Sequence, residues 1–381
     1  MKKTMSLVML LAALLAFGGA ASAQMPVFCG DLPQADCQIL ESAQTAAMTM
    51  TSARAAFEAQ LTVANIPDTP FKSLAFSLEG SGQYAIDAAL MEKYAGLETD
   101  PAALLSDMSQ FGPLVADLLT GFSGQLNLTL TLPSELLETL PSEGVQIPPK
   151  LSVELRMVDG VSYVNLSALA EAMPTAGIPG GWYGLELAKL LQNVFEMFAG
   201  SLDGAELPGF DPSALTQFSD PELIGEFMTL KRLPDAQVDG QAVAVFEGAL
   251  DYTRLASSEV FKGLMRQQME AMGETLSDAE LNQMLDLVGQ MYQGLTFTFT
   301  QAVDLDEFYP RQTTLDFQWD LAQMMAAIGE DSEAAPVIGL KLTSMLSDFN
   351  QPMAIKPPAG AAVLAAEDAI QMFMSGMQGS F

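Results

Sequence analysis

Three segments in the last third of this 381-residue chain alternate between apolar and polar residues with almost no break. They are LTFTFTQAVDL (295–305), RQTTLDFQWDLA (311–322) and GLKLTSMLSDF (339–349). Leu295, Phe297 and Phe299 face one way, and Thr296, Thr298 and Thr300 face the other. Leu315, Phe317 and Trp319 likewise oppose Thr314, Asp316, Gln318 and Asp320. A period of two with such contrast suits an antiparallel sheet that has one wet face and one covered face. Helical patterns come in runs between such strands and do not alternate with them one by one. The class is therefore α+β, with helices on the apolar face of the sheet, and a doubly wound fold is excluded.

The rest of the chain supplies the other pieces. Residues 38–62 are Ala-rich and predict a helix. Residues 72–91 alternate around Gly80-Ser81-Gly82, which predicts a hairpin. A helix is expected from Asp100-Pro101 to Leu119, and a strand over 125–132. LSVELRMVDGVSYVNL (151–166) predicts a hairpin whose Asp159-Gly160 pair fits a type I′ turn. After Trp182-Tyr183, Leu187, Leu190, Leu191, Val194 and Phe198 follow helical spacing. Residues 200–222 read as a Gly/Pro/Asp surface loop. Residues 236–252 repeat the Asp-Gly turn and strand. Helices over 256–272 and 278–292 follow, the second opening on a Ser277/Glu280 capping box.

The N-terminus carries Lys2-Lys3, an apolar run from Met5 to Phe17, and Ala21-Ser22-Ala23 before Gln24. That pattern is a secretory signal peptide with a small-x-small cleavage site. The two cysteines, Cys29 and Cys37, follow closely. Phe28 stands where a lipid-anchoring site needs Gly or Ala, so Cys29 is not expected to carry lipid. With no histidine in the chain, two cysteines cannot complete a zinc site, and seven intervening residues exclude a C-x-x-C redox pair. An exported protein with this pair is expected to close one disulfide, Cys29–Cys37.

Composition narrows function further. The formal net charge is −31, which excludes a nucleic-acid partner and disfavours docking on anionic lipid. It also keeps an apolar chain soluble, and a monomer is expected. Hydrophobic residues make up 49%, and mean hydropathy is +0.24. Absence of histidine removes Ser-His-Asp and Cys-His chemistry. Gly80-Ser81-Gly82-Gln83-Tyr84-Ala85 matches a dinucleotide fingerprint only on paper, because strand pattern continues on both sides. Asp304-Leu305-Asp306-Glu307 lacks the glycine and spacing of a calcium loop and reads as a solvated turn. No metal, cofactor or catalytic residue is assigned.

What remains is apolar. Phe261, Leu264, Met265, Met269 and Met272 recur at helical spacing, as do Leu281, Met284, Leu285, Val288 and Met291. Ordinary packing on the sheet explains them. So does a lid over an apolar pocket, in which Met accommodates flexible acyl chains.

The order of motifs adds a resemblance. Tyr163-Val164-Asn165 precedes Trp182-Tyr183. V-D-G-x-x-V-x-V-F-x-x-x-L-D then spans Val238 to Asp251. A strand ending in Asp304 is followed by Tyr309-Pro310-Arg311-Gln312. Ser347-Asp348-Phe349-Asn350-Gln351-Pro352-Met353-Ala354-Ile355 precedes Pro357-Pro358. This series resembles the LolA/LolB-like carrier superfamily, and within it the LppX/LprG lipid-binding branch. The resemblance implies a strongly curved antiparallel sheet, an incomplete β-barrel, with helices covering its concave apolar face. It also implies carriage of a lipid or acyl chain there, without catalytic residues. Carried onto this chain, Phe261, Met265, Met269, Met284 and Val288 belong to the lid. Leu295, Phe297, Phe299, Leu315, Phe317 and Trp319 belong to the wall.

The expected organisation is a signal peptide (1–23), an N-terminal disulfide loop and helix (24–60), a half-barrel domain (61–362) and a C-terminal helix or tail (363–381). The expected function is that of an exported, periplasmic or extracellular, non-enzymatic carrier of an amphiphile, with an envelope protein or membrane as donor or acceptor. Two other readings fit the same residues: a structural or adhesive envelope protein with a filled core, and a hydrolase using a carboxylate pair.

Overall fold

The structure, a computed structural model, describes residues 27–66, 69–95, 108–139, 147–199, 221–271, 277–327 and 335–371. In chain order these form α1 (Gln34–Met48), β1 (Ser52–Ala64), β2 (Ser73–Ile86), α2 (Ala88–Ala95), α3 (Met108–Gly121) and β3 (Phe122–Thr131). Next come α4 (Ser134–Thr139), β4 (Lys150–Val158), β5 (Val161–Asn165), α5 (Ser167–Ala172), β6 (Trp182–Leu185) and α6 (Leu187–Ala199). They are followed by α7 (Pro221–Phe227), β7 (Met228–Val238), β8 (Gln241–Leu250), α8 (Tyr252–Ser257), α9 (Glu259–Ala271) and α10 (Asp278–Tyr292). The last elements are β9 (Leu295–Asp304), β10 (Pro310–Asp320), α11 (Ala322–Ala327), β11 (Val337–Ser347) and β12 (Ala362–Leu364).

Hydrogen-bonded strand order is β12-β6-β5-β4-β3-β2-β1-β11-β10-β9-β8-β7, a twelve-stranded open sheet with β12 and β7 at its ends. The pairs with resolved register are antiparallel except β12 with β6, which is parallel. The α+β class predicted by the alternation is the observed one. Both Asp-Gly turns form as expected. Asp159 and Gly160 have φ of 51° and 75°, and Asp239 and Gly240 have 51° and 80°. Two successive left-handed residues define the type I′ hairpin.

Two expectations are corrected. The helix begun at Gln34 ends at Met48, and residues 52–64 are strand β1. The Ala content conceals a period of two: Arg54, Glu58, Gln60 and Thr62 alternate with Ala53, Ala55, Phe57, Ala59, Leu61 and Val63. Sheet pairing overrides intrinsic helix propensity, which differs between residues by under about 1 kcal/mol. The second correction concerns 72–91, where β2 runs straight through Gly80-Ser81-Gly82 with no turn. Gly82 is there because a Cβ would collide with the main-chain oxygen of Gln125 on β3. Expected features within 96–107 and 200–220 lie outside the described residues.

The chain divides into two compact units, with the division running through β1. One comprises residues 51–54, 74–216 and 350–381. In it β2 to β6 carry Leu126 and Leu128 at its centre, 4% and 6% exposed. Helices α3 and α6 pack on each other, with Gly112 against Phe195. Asn350 Oδ1 accepts from the Thr51 N–H at 2.7 Å, and Ser52 Oγ donates to the Gln351 carbonyl at 2.7 Å. The Asn-Gln-Pro segment that follows the last long strand thus anchors the first residues of β1.

The other unit comprises residues 1–50, 55–73 and 217–349. It contains β7–β11, α7–α11 and α1. A buried core lies where α1 seats Leu40 and Ala43 on Ala244, Phe246 and Val303, the last three 0% exposed. The disulfide Cys29–Cys37 forms, with Cα atoms 5.4 Å apart, and ties the chain before α1 to its first turn.

Candidate functional site

The candidate wall residues all lie in this second unit, and strand register brings them together. Leu315 is opposite Phe299, Phe317 opposite Phe297, and Trp319 opposite Leu295. On the other side of β10 the same positions face Leu342, Leu340 and Ile338 of β11. Three rows of three apolar residues therefore cover one face of β9-β10-β11. The β11 members were not singled out from sequence, although the alternation over 339–349 carried the signal. β8 extends two of the rows with Leu250 beside Phe297 and Gly248 beside Phe299.

Exposure separates this face into two regions. Ala244, Phe246 and Val303, under α1, are 0% exposed. None of the nine residues in the three rows reaches full burial, and Leu340 is 40% exposed. Behind these rows the opposite face is polar, with Thr314 and Thr343 hydroxyls 3.4 Å apart and Lys231 paired with Glu247 at 2.7 Å, while further along it Val243, Ala302 and Asp304 are buried. At the three rows the sheet thus has a polar face and an apolar face, and among the described residues only the α1 end of the apolar face is fully buried.

Helix α10 approaches that face at its C-terminal end. Trp319 Nε1 donates to the Met291 carbonyl at 3.4 Å, and the Trp319 ring stacks on Tyr292 with centroids 5.8 Å apart. Tyr292 stacks in turn on Tyr252 at 5.9 Å. Burial pushes the Tyr252 phenol pKa up, with a further contribution from Tyr292. The expected capping box forms: Ser277 Oγ accepts from the Glu280 N–H, and Glu280 accepts from the Ser277 N–H at 2.8 Å. Gly294 follows the helix, where a Cβ would strike the Asp320 carbonyl, while its own oxygen accepts from the Asp320 N–H at 2.9 Å.

The helical candidates divide. Leu281 and Leu285 are buried, 1% and 4% exposed, on a helix that packs against α8 and α11. Met284 and Val288 are half-buried. Phe261, Met265 and Met269 are half-buried along one face of α9, whose main contacts are with α8 and α10. Two surface depressions, of about 440 Å³ beside α1 and the 307–309 turn and of about 690 Å³ beside the disulfide loop, are lined by other residues.

The residues of the sequence motifs serve a structural role. Asp306 and Glu307 of the expected solvated turn are exposed, while Asp304, which begins it, is 2% exposed. Its Oδ1 accepts from the N–H groups of Asp306 and Glu307 at 2.8 and 2.9 Å, and Oδ2 accepts from Arg311 Nε at 2.5 Å. Burial alone would raise its pKa; the bonds from Glu307, Arg311 and Asp306 outweigh it and hold the carboxyl below the ordinary value. Arg311 also lies over Phe349, which stacks on Tyr309 at 4.4 Å. The carboxylate is thus fully engaged by its own turn. Among the described residues there is no group of three or more His, Cys, Asp or Glu placed to hold a metal.

No family model matches the chain, and no curated protein does.

Similar solved structures exist. LprF from Mycobacterium bovis is 12% identical, over 87% of this chain and 100% of that one, with a TM-score of 0.31. Lipoprotein LppX from Mycobacterium tuberculosis is 8% identical, over 85% and 100%, with a TM-score of 0.27. A LolA superfamily protein from Nitrosomonas europaea is 9% identical, over 83% and 93%, with a TM-score of 0.14. These are the kinds of protein that the order of sequence motifs resembles.

The other unit carries an apolar face that sequence reading did not single out. Leu126, Leu128 and Leu130 stand opposite Leu155, Val153 and Leu151. Its centre is buried, which marks it as that unit's core. Among the described residues no helix is long and apolar enough to cross a membrane.

Proposed function

We propose that this protein is an exported carrier or binding protein for a lipid or other amphiphile. The ligand's acyl chain would lie on the apolar rows of β9, β10 and β11, with α10, and α9 beside it, acting as a cover. One observation carries the reading: nine apolar residues contiguous on one sheet face, none of them fully buried by the chain. Contiguous apolar surface of this kind costs free energy in water unless something covers it. Each methylene placed there contributes about 0.8 kcal/mol. The tyrosine-tryptophan stack borders the rows, and the methionines of the proposed cover would suit a flexible chain. The activity proposed is binding and release, with no bond made or broken. Export is supported by the signal-like N-terminus together with the disulfide.

Native mass spectrometry of the chain from Gln24 onward, followed by denaturing lipid extraction, tests the proposal. A stoichiometric lipid adduct is expected, and Phe317→Asp should abolish it while leaving the circular dichroism spectrum unchanged. A mass that stays free of adduct after incubation with mixed envelope lipids would sink the reading.

A further inference from the structure

The three apolar rows end at a fourth row of different chemistry. Thr313 is opposite Gln301 on β9 and opposite Ser344 on β11, and all three belong to the same face as Leu315, Phe299 and Leu342. Two residues further along each strand, alternation has kept the face and changed the polarity. All three are half-buried, and among the described residues none of their side chains makes a hydrogen bond. Polar side chains on an apolar face are costly when their hydrogen bonds are unmade. Three of them abreast on adjacent strands span about 10 Å, given strand spacings near 4.8 Å.

The surroundings set the charge of what they can meet. Next in the row, beyond Gln301, come Phe246 and Arg232. Arg232 is already engaged by Asp36, with Nε 3.4 Å away, and by Asp235, and it stacks over the Phe246 ring. Two carboxylates thus balance its charge, although its buried Nε–H makes no hydrogen bond within the described residues. In a chain of net charge −31, an anionic head group would gain nothing here and be repelled. Hydroxyls and a carboxamide offer both donors and acceptors, which match uncharged oxygens.

We propose that Gln301, Thr313 and Ser344 form the head-group end of the site, and that its ligand is an amphiphile with an uncharged, hydroxyl- or ester-bearing head. This rests on the reading of the apolar rows as an acyl-chain site. The test compares 1-monoolein, oleate and hexadecane as probes at pH 8, read by tryptophan emission and native mass spectrometry of the chain from Gln24. Wild-type protein should bind monoolein about tenfold more tightly than oleate, the scale of one to two net hydrogen bonds. The combined change Gln301→Leu, Thr313→Val and Ser344→Ala should remove that preference and leave hexadecane uptake unaltered. If the combined variant does not fold, Thr313→Val alone should narrow the preference by two- to threefold. Equal affinity for monoolein and oleate, or a preference that survives the substitutions, overturns the head-group assignment while the acyl-chain reading stands. Binding of none of the three probes overturns both.

Discussion

The ring of Phe299 on β9 occupies the space above Gly248 on β8 that any side chain at residue 248 would need. The two are cross-strand partners, so the absence of a Cβ lets an aromatic ring lie down on the sheet within the apolar rows. Replacing Gly248 by Val should force the ring off its rotamer and lower stability by about 2 kcal/mol, an overpacking cost. Urea unfolding followed by tryptophan emission measures it. Gly248→Val with an unchanged midpoint would mean the ring has another place to go.

Position along the apolar face should decide what an added charge does. Leu340→Asp, at a residue 40% exposed, is expected to cost about 1 kcal/mol or less. Val303→Asp, at a residue 0% exposed beneath α1, buries an unpaired charge and should cost more than about 4 kcal/mol. Lipid binding should be lost in the first variant although it folds. Thermal melts of both, beside adduct masses for the first, separate the binding surface from the core.

Asp304 should make stability depend on acid. Its carboxyl is held below the ordinary value, so its contribution is present above the ordinary carboxylate range and lost as pH falls through that range and below. Asp304→Asn, which leaves Arg311 only the more distant carboxylate of Glu307, 3.9 Å away, should cost about 3 kcal/mol at pH 7. The gap between variant and wild type should narrow below about pH 4. Urea midpoints taken from pH 7 to pH 3 test this; a gap constant with pH would show that the charge is not what matters.

Reducing Cys29–Cys37 should destabilise by about 2 kcal/mol, given the short loop it closes. The loss should be felt first in α1, whose Leu40 and Ala43 cover Phe246 and Val303. Hydrogen exchange with and without reductant would report it as faster exchange over 34–48. Protection unchanged by reductant would show that α1 is held by its packing alone.

Much of this fold was legible in the chain because a half-buried strand writes its burial into every second residue. β9, β10 and β11 could be read residue by residue, and both Asp-Gly hairpins followed from the left-handed conformations those residues tolerate. β1 was misread because Ala is small enough to suit either structure, and its weak alternation was outweighed by helix propensity. β2 was misread because glycines usually mark turns, whereas Gly82 here permits the close approach of a neighbouring strand.

The sequence by itself determined the class of fold, the face each strand residue takes, the staple near the N-terminus and the absence of histidine chemistry. These depend on local stereochemistry and on which side chains exist. Only the tertiary structure decided that β10 lies between β9 and β11, and therefore that three apolar rows and the row Gln301, Thr313 and Ser344 stand abreast. It alone decided that α1 buries one end of that face and leaves the other half-exposed. Register and coverage are set by contacts between residues far apart in the chain, and alternation within a strand carries no information about which strand comes to lie beside it.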